Sequence, residues 1–437
     1  MNQFQQRREQ FFNKMQDNSV AILPASQEQT RNNDCDYPFR QNSDFHYLTD
    51  FNEPEAMLVL VKKADEQLSI LFNRKKDKTA EIWNGYRLGQ EAAVSTLGMD
   101  QAYVIEEFDA QLEKLVNGAG TVYYPIFQSD ALNESLKKVV NKLRAGKRKG
   151  AVVPNSYVDC LPMLHEMRLI KSDFEGELLS KAGEISAAGH IRAMKTCHVG
   201  MWEFQLEGEI KHEFALGGSS NVAYNSIVAG GNNACILHYN ENDQQLKDGD
   251  LVLIDAGAEY QTYAGDITRT FPVNGKFTEH QAKLYQLVLD TQIFAISQVK
   301  PGASLFTISD QVVELLIDGL LSLGLLKGDR ETLIKEEAHK AFYMHGLGHY
   351  LGLDVHDAGE YGTAENPRLL EAGMSITIEP GLYVSQDADC DDCWKGIGIR
   401  IEDDLLVTAT GAKVMSAAAP KAIDEIEALM SDAKANS

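Results

Sequence analysis

The chain has 437 residues, 44% of them hydrophobic and 24% charged, with 11 Pro and 34 Gly. That is the composition of a globular protein with material for about two domains, and it excludes a disordered or collagen-like chain. Against 64 Asp and Glu there are 41 Lys and Arg, a net charge of −23, whose field repels phosphate backbones and anionic lipid and argues against nucleic-acid and membrane partners. No apolar run is long enough to span a membrane, and the first residues, MNQFQQRREQFFNKM, carry no secretory pattern, so a cytoplasmic protein is expected. The six cysteines, Cys35, Cys160, Cys197, Cys235, Cys390 and Cys393, are scattered, and reduced thiols are expected.

In chain order, MLVLV and LSILF flank the polar KKADEQ, the pattern of a hairpin. Strand-like text follows in TVYYPIF and AVVPN. Between these, residues 129–143 place Leu132, Leu136, Val139 and Val140 at helical spacing before the basic AGKRKG. The first third thus reads as a mixed α/β unit. Around residues 168–172 the pattern changes, which puts a boundary near residue 170 and divides the chain into 1–170 and 171–437.

Two amphipathic helices are predicted next, over 174–195 and 202–216, the second stopped by Gly217-Gly218. Strand text (LVLIDAG, TRTFPV) is followed by two helices, and the first of these opens at Thr278 with Gln281 in a capping box and ends before Pro301-Gly302. MSITIEPGLYV and IGIRIEDDLLVT close the series as strands. Helix pairs alternating with antiparallel-looking strands predict an α+β fold.

The chemistry-bearing residues fall in those strands. Asp255 ends LVLIDAG, and Asp266 follows in YAGDITRTF, each beside a glycine (Gly257, Gly265) that permits close backbone approach. One carboxylate after a buried strand is ordinarily a cap; two on neighbouring strands can converge on one point. In His345-Gly-Leu-Gly-His349 the glycines bury no side-chain volume and leave room beside two imidazoles. Glu379 ends SITIEPGLYV, fixed by Pro380-Gly381, and in GIGIRIEDD the alternation puts Arg400 and Glu402 on one face. Charged groups on the inner face of a strand must be paired or metal-bound.

Asp255, Asp266, His349, Glu379 and Glu402 supply four negative charges and one neutral imidazole, enough to neutralise two divalent cations. Oxygen-rich ligation with one His and no Cys suits Mn²⁺ first, with Co²⁺, Fe²⁺ or Zn²⁺ as alternatives. Two such ions about 3.5–4 Å apart lower the pKa of a shared water and polarise a carbonyl, which is hydrolytic chemistry. Asp387-x-Asp389-x-Asp391 begins like a calcium loop, but Asp392 stands where that loop needs Gly. Cys390-x-x-Cys393 has no second pair of ligands to complete a zinc site. Both read as surface loop. GxSxG, HExxH and Walker sequences are absent.

The ordered set LVLIDAG, YAGDITRTFPV, HGLGHYLGLDVHD, TIEPGLYV and GIRIED resembles the Xaa-Pro peptidase group of the pita-bread metallopeptidases. DCDYPFRQNSDFHYLTDFNEPEA and TAEIWNGYRLGQEAA are similar to the N-terminal domain of bacterial aminopeptidase P, so the resemblance runs over the whole chain. It implies a creatinase-like N-terminal domain and a C-terminal pita-bread domain, a curved antiparallel sheet backed by helices and holding two metal ions, most often manganese. By the same resemblance Asp255 and Asp266 bind one ion, Asp266, His349 and Glu379 contact the other, and Glu402 bridges.

His238, His345 and His356 match the family's substrate-contacting histidines. The resemblance implies that a metal-bridging hydroxide would attack the carbonyl before proline, with Glu379 passing its proton toward the leaving nitrogen. His238, His345 or both bond the scissile region, and His356 steadies the carbonyl on the proline side. Arg400 orients Glu402 or Asp266 or reaches the substrate, and Tyr383 is a hydroxyl behind the ligands or a packed strand tyrosine. Trp83 matches a position that closes the pocket of a neighbouring subunit, in a homo-tetramer or homo-dimer. The expected substrates are peptides with N-terminal Xaa-Pro. Prolidase, which cuts only dipeptides, methionine aminopeptidase and a pita-bread binding module with an eroded site are the rival readings.

Overall fold

The apolar runs on either side of KKADEQ pair as antiparallel strands, Met57–Lys63 and Glu66–Asn73, in register from Met57 opposite Phe72 to Lys63 opposite Glu66. Asp65, between them in sequence, lies outside the described residues of this computed structural model, which are 2–64 and 66–435. The chain folds as two units, Met1–Met167 and Arg168–Ser437.

In the first unit the hairpin belongs to a six-stranded sheet, ordered Gln101–Val104, Glu66–Asn73, Met57–Lys63, Ser19–Pro24, Thr121–Tyr124, Ser156–Asp159. Ser19–Pro24 runs antiparallel to Met57–Lys63 and parallel to Thr121–Tyr124. Alternate residues, among them Val20, Ile22, Val59, Ile70, Phe72 and Val122, bury one face of this sheet. They pack against Leu112 and Val116 of the helix Phe108–Val116 and Leu132, Leu136, Val139 and Leu143 of Asp130–Gly146. The long helix starts where Ser129 caps the Leu132 amide.

AVVPN is not a strand. Its amides and carbonyls bond a neighbouring turn, with Val152 N donating to Asn117 Oδ1, Gly118 N to Val152 O, and Asn155 N to Gly120 O. Pro154 has no N–H for a ladder. The parallel pairing with Thr121–Tyr124 begins one step later, at Ser156–Asp159.

In the second unit the helix Asp173–Thr196 opens with a full capping box, Ser172 and Glu175 bonding reciprocally, and packs against Glu203–Leu216. Gly189 lets the two helices approach, since a Cβ there would lie 2.5 Å from the Phe214 ring. Every strand pair in this unit is antiparallel. Ile227–Gly230, Leu251–Asp255 and Thr268–Pro272 form one ladder, with Asp255 opposite Thr268. Glu279–Gln298, capped by Thr278 and Gln281, and Leu305–Ser322 follow, and a short third helix, Arg330–Lys335, adds to the expected pair.

The last two strand-like stretches each break in the middle. Ser375–Ile378 pairs with Asp403–Val407, but Gly381–Val384 pairs with Ile397–Arg400. Between the two ladders lie Glu379 and Pro380 on one side and Ile401 and Glu402 on the other, joined by Ile401 N donating to Pro380 O at 3.3 Å. Pro380 cannot donate, so the ladder opens here and two carboxylates fall at the gap. Among the described residues, no helix is long and apolar enough to cross a membrane.

Candidate active site and metal centre

A cavity of about 620 Å³ opens in the second unit where these breaks meet the ends of the Asp255 strand and the glycine-rich stretch of His345. Its walls include Asp255, Asp266, His238, His345, His349, His356, Glu379, Arg400 and Glu402. The fold thus brings together five candidate ligands drawn from a stretch of 148 residues, Asp255 to Glu402.

Each is set by local backbone. Asp255 is the last residue of its strand. Asp266 precedes Thr268–Pro272, and its amide donates to both oxygens of the buried Asp404, at 3.2 and 3.0 Å. Gly257 and Gly265 let these segments touch; a Cβ on Gly257 would sit 1.7 Å from the Gly265 carbonyl oxygen. Glu402 N donates to Thr268 O, and Thr268 Oγ1 donates to Glu402 Oε2 at 2.7 Å. His349 and Thr377 bond reciprocally, Thr377 N to His349 O and His349 N to Thr377 Oγ1.

The glycines flanking Leu347 differ in role. A Cβ on Gly348 would lie 2.0 Å from the Thr377 carbonyl oxygen, so this glycine admits the strand Ser375–Ile378 and not a ligand. Gly346 has nothing within 4 Å and does leave space in the cavity.

Donor chemistry fixes the imidazoles. His349 Nδ1 lies 3.0 Å from the Tyr350 carbonyl, which can only accept, so Nδ1 carries the proton and Nε2 faces Asp266 Oδ2 at 3.3 Å and Glu379 Oε1 at 3.5 Å. His345 Nδ1 likewise donates to Gly346 O at 2.8 Å. Its Nε2 therefore accepts from the Tyr383 hydroxyl at 2.8 Å, whose oxygen accepts from Arg400 Nη1 at 2.9 Å. Both nitrogens of His345 are committed to protein groups. Burial, with Arg400 nearby, holds this imidazole down at about 4, in the neutral form.

Whether these residues suit a metal is tested by what they do with only protein around them. One oxygen of Asp266, one of Glu402 and one nitrogen of His349 lie within 4.8 Å of one another. A single Tyr224 hydroxyl, 2.5 Å from Asp255 Oδ1 and 2.6 Å from Asp266 Oδ1, has one proton for two carboxylates. Burial first, then Asp266, push Glu402 well above the carboxylate range, and burial, with Asp266 and Asp255 adding to it, pushes Glu379 up to about 7. Asp255 is also raised by burial, against the pull of Arg400. Four acidic groups crowded in one buried wall are short of positive charge, which divalent cations supply. The donor set fits.

Arg400, 4% exposed, donates to Asp255 Oδ2 at 2.6 Å, to Tyr383, and through Nε to Thr268 Oγ1. Tyr383 is buried behind the cavity wall. Trp83 stands in the first unit on the helix Lys78–Asn84, none of whose residues is buried, and is 83% exposed. Tyr224, Thr268, Thr377 and Asp404 were not legible in the sequence; no spacing marks them, and only their positions against the acidic residues reveal them.

Residues 177–409 match metallopeptidase family M24, and residues 4–123 match the aminopeptidase P N-terminal domain. The chain belongs to metallopeptidase family M24. Within that family it sits with the Xaa-Pro aminopeptidases: it is 50% identical to the Xaa-Pro aminopeptidase of Escherichia coli over 429 residues, 98% of this chain and 97% of that protein. The structure of proline aminopeptidase P II from Yersinia pestis superposes with a TM-score of 0.97 at 52% identity, covering 99% of this chain and all of that one. A zinc-substituted E. coli aminopeptidase P in complex with product gives the same TM-score at 50% identity, covering 99% and 98%.

Proposed function

We propose that this chain is a metal-dependent Xaa-Pro aminopeptidase that releases the N-terminal residue from peptides with proline second. The observation that carries the reading is the meeting of Asp255, Asp266, His349, Glu379 and Glu402 around one cavity, in a chain of this family. Residues 1–170 form the N-terminal domain and 171–437 the catalytic one.

Two divalent cations, Mn²⁺ first among the candidates, would be held by Asp255, Asp266, His349, Glu379 and Glu402. When bound, such a pair lowers the pKa of water toward neutrality and polarises a carbonyl. Glu379 takes a proton from the attacking water and passes it to the leaving nitrogen. That transfer is needed because an amide nitrogen departs only as a neutral amine, so the proline nitrogen must gain a proton as the bond breaks. With His345 fully engaged by Gly346 and Tyr383, His238 is the imidazole free to donate to the carbonyl oxygen as charge develops, and His345 keeps Tyr383 and Arg400 in place. His356 contacts the carbonyl on the proline side. Ile227, Leu237 and Val355 give the cavity an apolar wall against which a pyrrolidine ring can pack.

A homo-tetramer or homo-dimer in which Trp83 closes a neighbouring subunit's pocket is supported by the exposure of Ile82, Trp83 and Tyr86 at 79%, 83% and 95%. Two relatives at 50% identity are bacterial, and these together with six free cysteines support a cytoplasmic setting. The test is a peptide panel run with defined metals. Turnover of Xaa-Pro-Xaa tripeptides, lost to chelator and restored by Mn²⁺ with about two ions per chain, is expected. Cleavage confined to Xaa-Pro dipeptides would make the chain a prolidase, and cleavage of Met-Ala peptides would overturn the proline requirement.

A further inference from the structure

Beyond His349 the chain loops out and returns to the cavity at His356, whose ring lies over that of His349 with centroids 4.0 Å apart. No helix or strand spans residues 351–357, so the placing of His356 depends on what ties down this loop. Backbone bonds close it on itself: Asp357 N donates to Tyr350 O at 2.8 Å and Gly352 N to Asp354 O at 3.1 Å. At its centre is the Asp357 carboxylate. Oδ1 accepts from Arg168 Nη2 at 2.5 Å and from the Asp354 amide at 3.3 Å, and Oδ2 accepts from Lys171 Nζ at 2.8 Å. These three side chains are at most 3% exposed. The loop wraps so tightly that a Cβ on Gly352 would lie 2.2 Å from Asp357 Oδ2.

Two cations on one buried carboxylate offset its desolvation, and their directed hydrogen bonds hold the group in a single geometry. We propose that Asp357 is a positioning residue for peptide binding: anchored by Arg168 and Lys171, it fixes the backbone from which the adjacent His356 reaches the substrate. The inference rests on the reading that His356 contacts the peptide.

A double-mutant cycle tests it, using Ala-Pro-Ala as substrate, the full chain loaded with Mn²⁺, and metal content measured for every variant. His356→Ala is expected to lower kcat/KM by about tenfold or more. Asp357→Asn is expected to cost about tenfold in the parent, chiefly through KM and with metal content unchanged, but less than about twofold in the His356→Ala background. If Asp357→Asn does not fold, Lys171→Met, which leaves the Arg168 contact, takes its place in the same cycle. Equal cost in both backgrounds, or no cost in a folded variant, overturns the proposal. A silent His356→Ala would instead overturn the reading of His356, and that single variant reveals it.

Discussion

Arg400 donates to Asp255 at 2.6 Å in a buried ion pair, with the same guanidinium reaching the Tyr383 hydroxyl and Thr268 Oγ1. Three partners in three directions are matched by the planar fork of arginine. A lysine ammonium could serve one of them.

Arg400→Lys is therefore expected to behave as a severe change despite its retained charge. Loss of two charge-assisted hydrogen bonds at about 1.5–3 kcal/mol each corresponds to a fall in kcat/KM of about 10²-fold or more. Steady-state kinetics at saturating Mn²⁺ on a tripeptide measure it; activity within about threefold of the parent would show that turnover does not need one guanidinium to join Asp255, Tyr383 and Thr268.

Glu379→Gln keeps the shape of the side chain and removes one of four crowded carboxylates. Turnover should fall by at least about 10³-fold. Because burial and its acidic neighbours oppose the Glu379 charge, the variant without metal should unfold at the same or a higher temperature than the parent without metal. Calorimetry of the two chelated proteins tests this, and full retained activity would exclude Glu379 from proton transfer.

The two glycines between His345 and His349 should respond in opposite ways. Gly348→Ala forces a methyl to 2.0 Å from the Thr377 carbonyl oxygen, and overpacking of that kind costs about 1–3 kcal/mol and displaces His349. Gly346→Ala meets nothing within 4 Å and should stay within about 0.5 kcal/mol of the parent. Urea unfolding of both variants provides the comparison.

Burial works to raise Asp357, but Lys171 and Arg168 prevail and hold its carboxyl at about 2, below its ordinary 3.8. A carboxyl lowered in the folded state stabilises above its unfolded pKa and loses that contribution as pH falls toward its folded pKa. The stability gap between the parent and Asp357→Asn should thus be widest above about pH 5 and shrink by about 2 kcal/mol between about pH 5 and pH 2. Urea unfolding across that range measures it, and a gap constant with pH would show that Arg168 and Lys171 do not act on the Asp357 charge.

How far the residues could be read before folding depended on whether their signal was local. The capping box at Thr278, the hairpin of MLVLV and LSILF, and carboxylates at the ends of apolar runs are written in neighbouring positions. AVVPN misled because its apolar run resembles a strand while its proline and the turn at 117–120 take up its hydrogen bonds. The glycines of the His345 stretch were legible as space-makers, but not which neighbour each admits.

The sequence by itself determined which candidate donors the chain offers, four carboxylates and an imidazole, because side-chain chemistry needs no partner to be recognised. Tertiary structure alone decided that Tyr224 spans two of those carboxylates, that Pro380 opens the ladder where Glu379 and Glu402 meet, and that His345 commits both nitrogens to protein. These depend on contacts between residues distant in the chain. Hydrogen bonds and charge at that range are set by where the backbone passes, which no local pattern encodes.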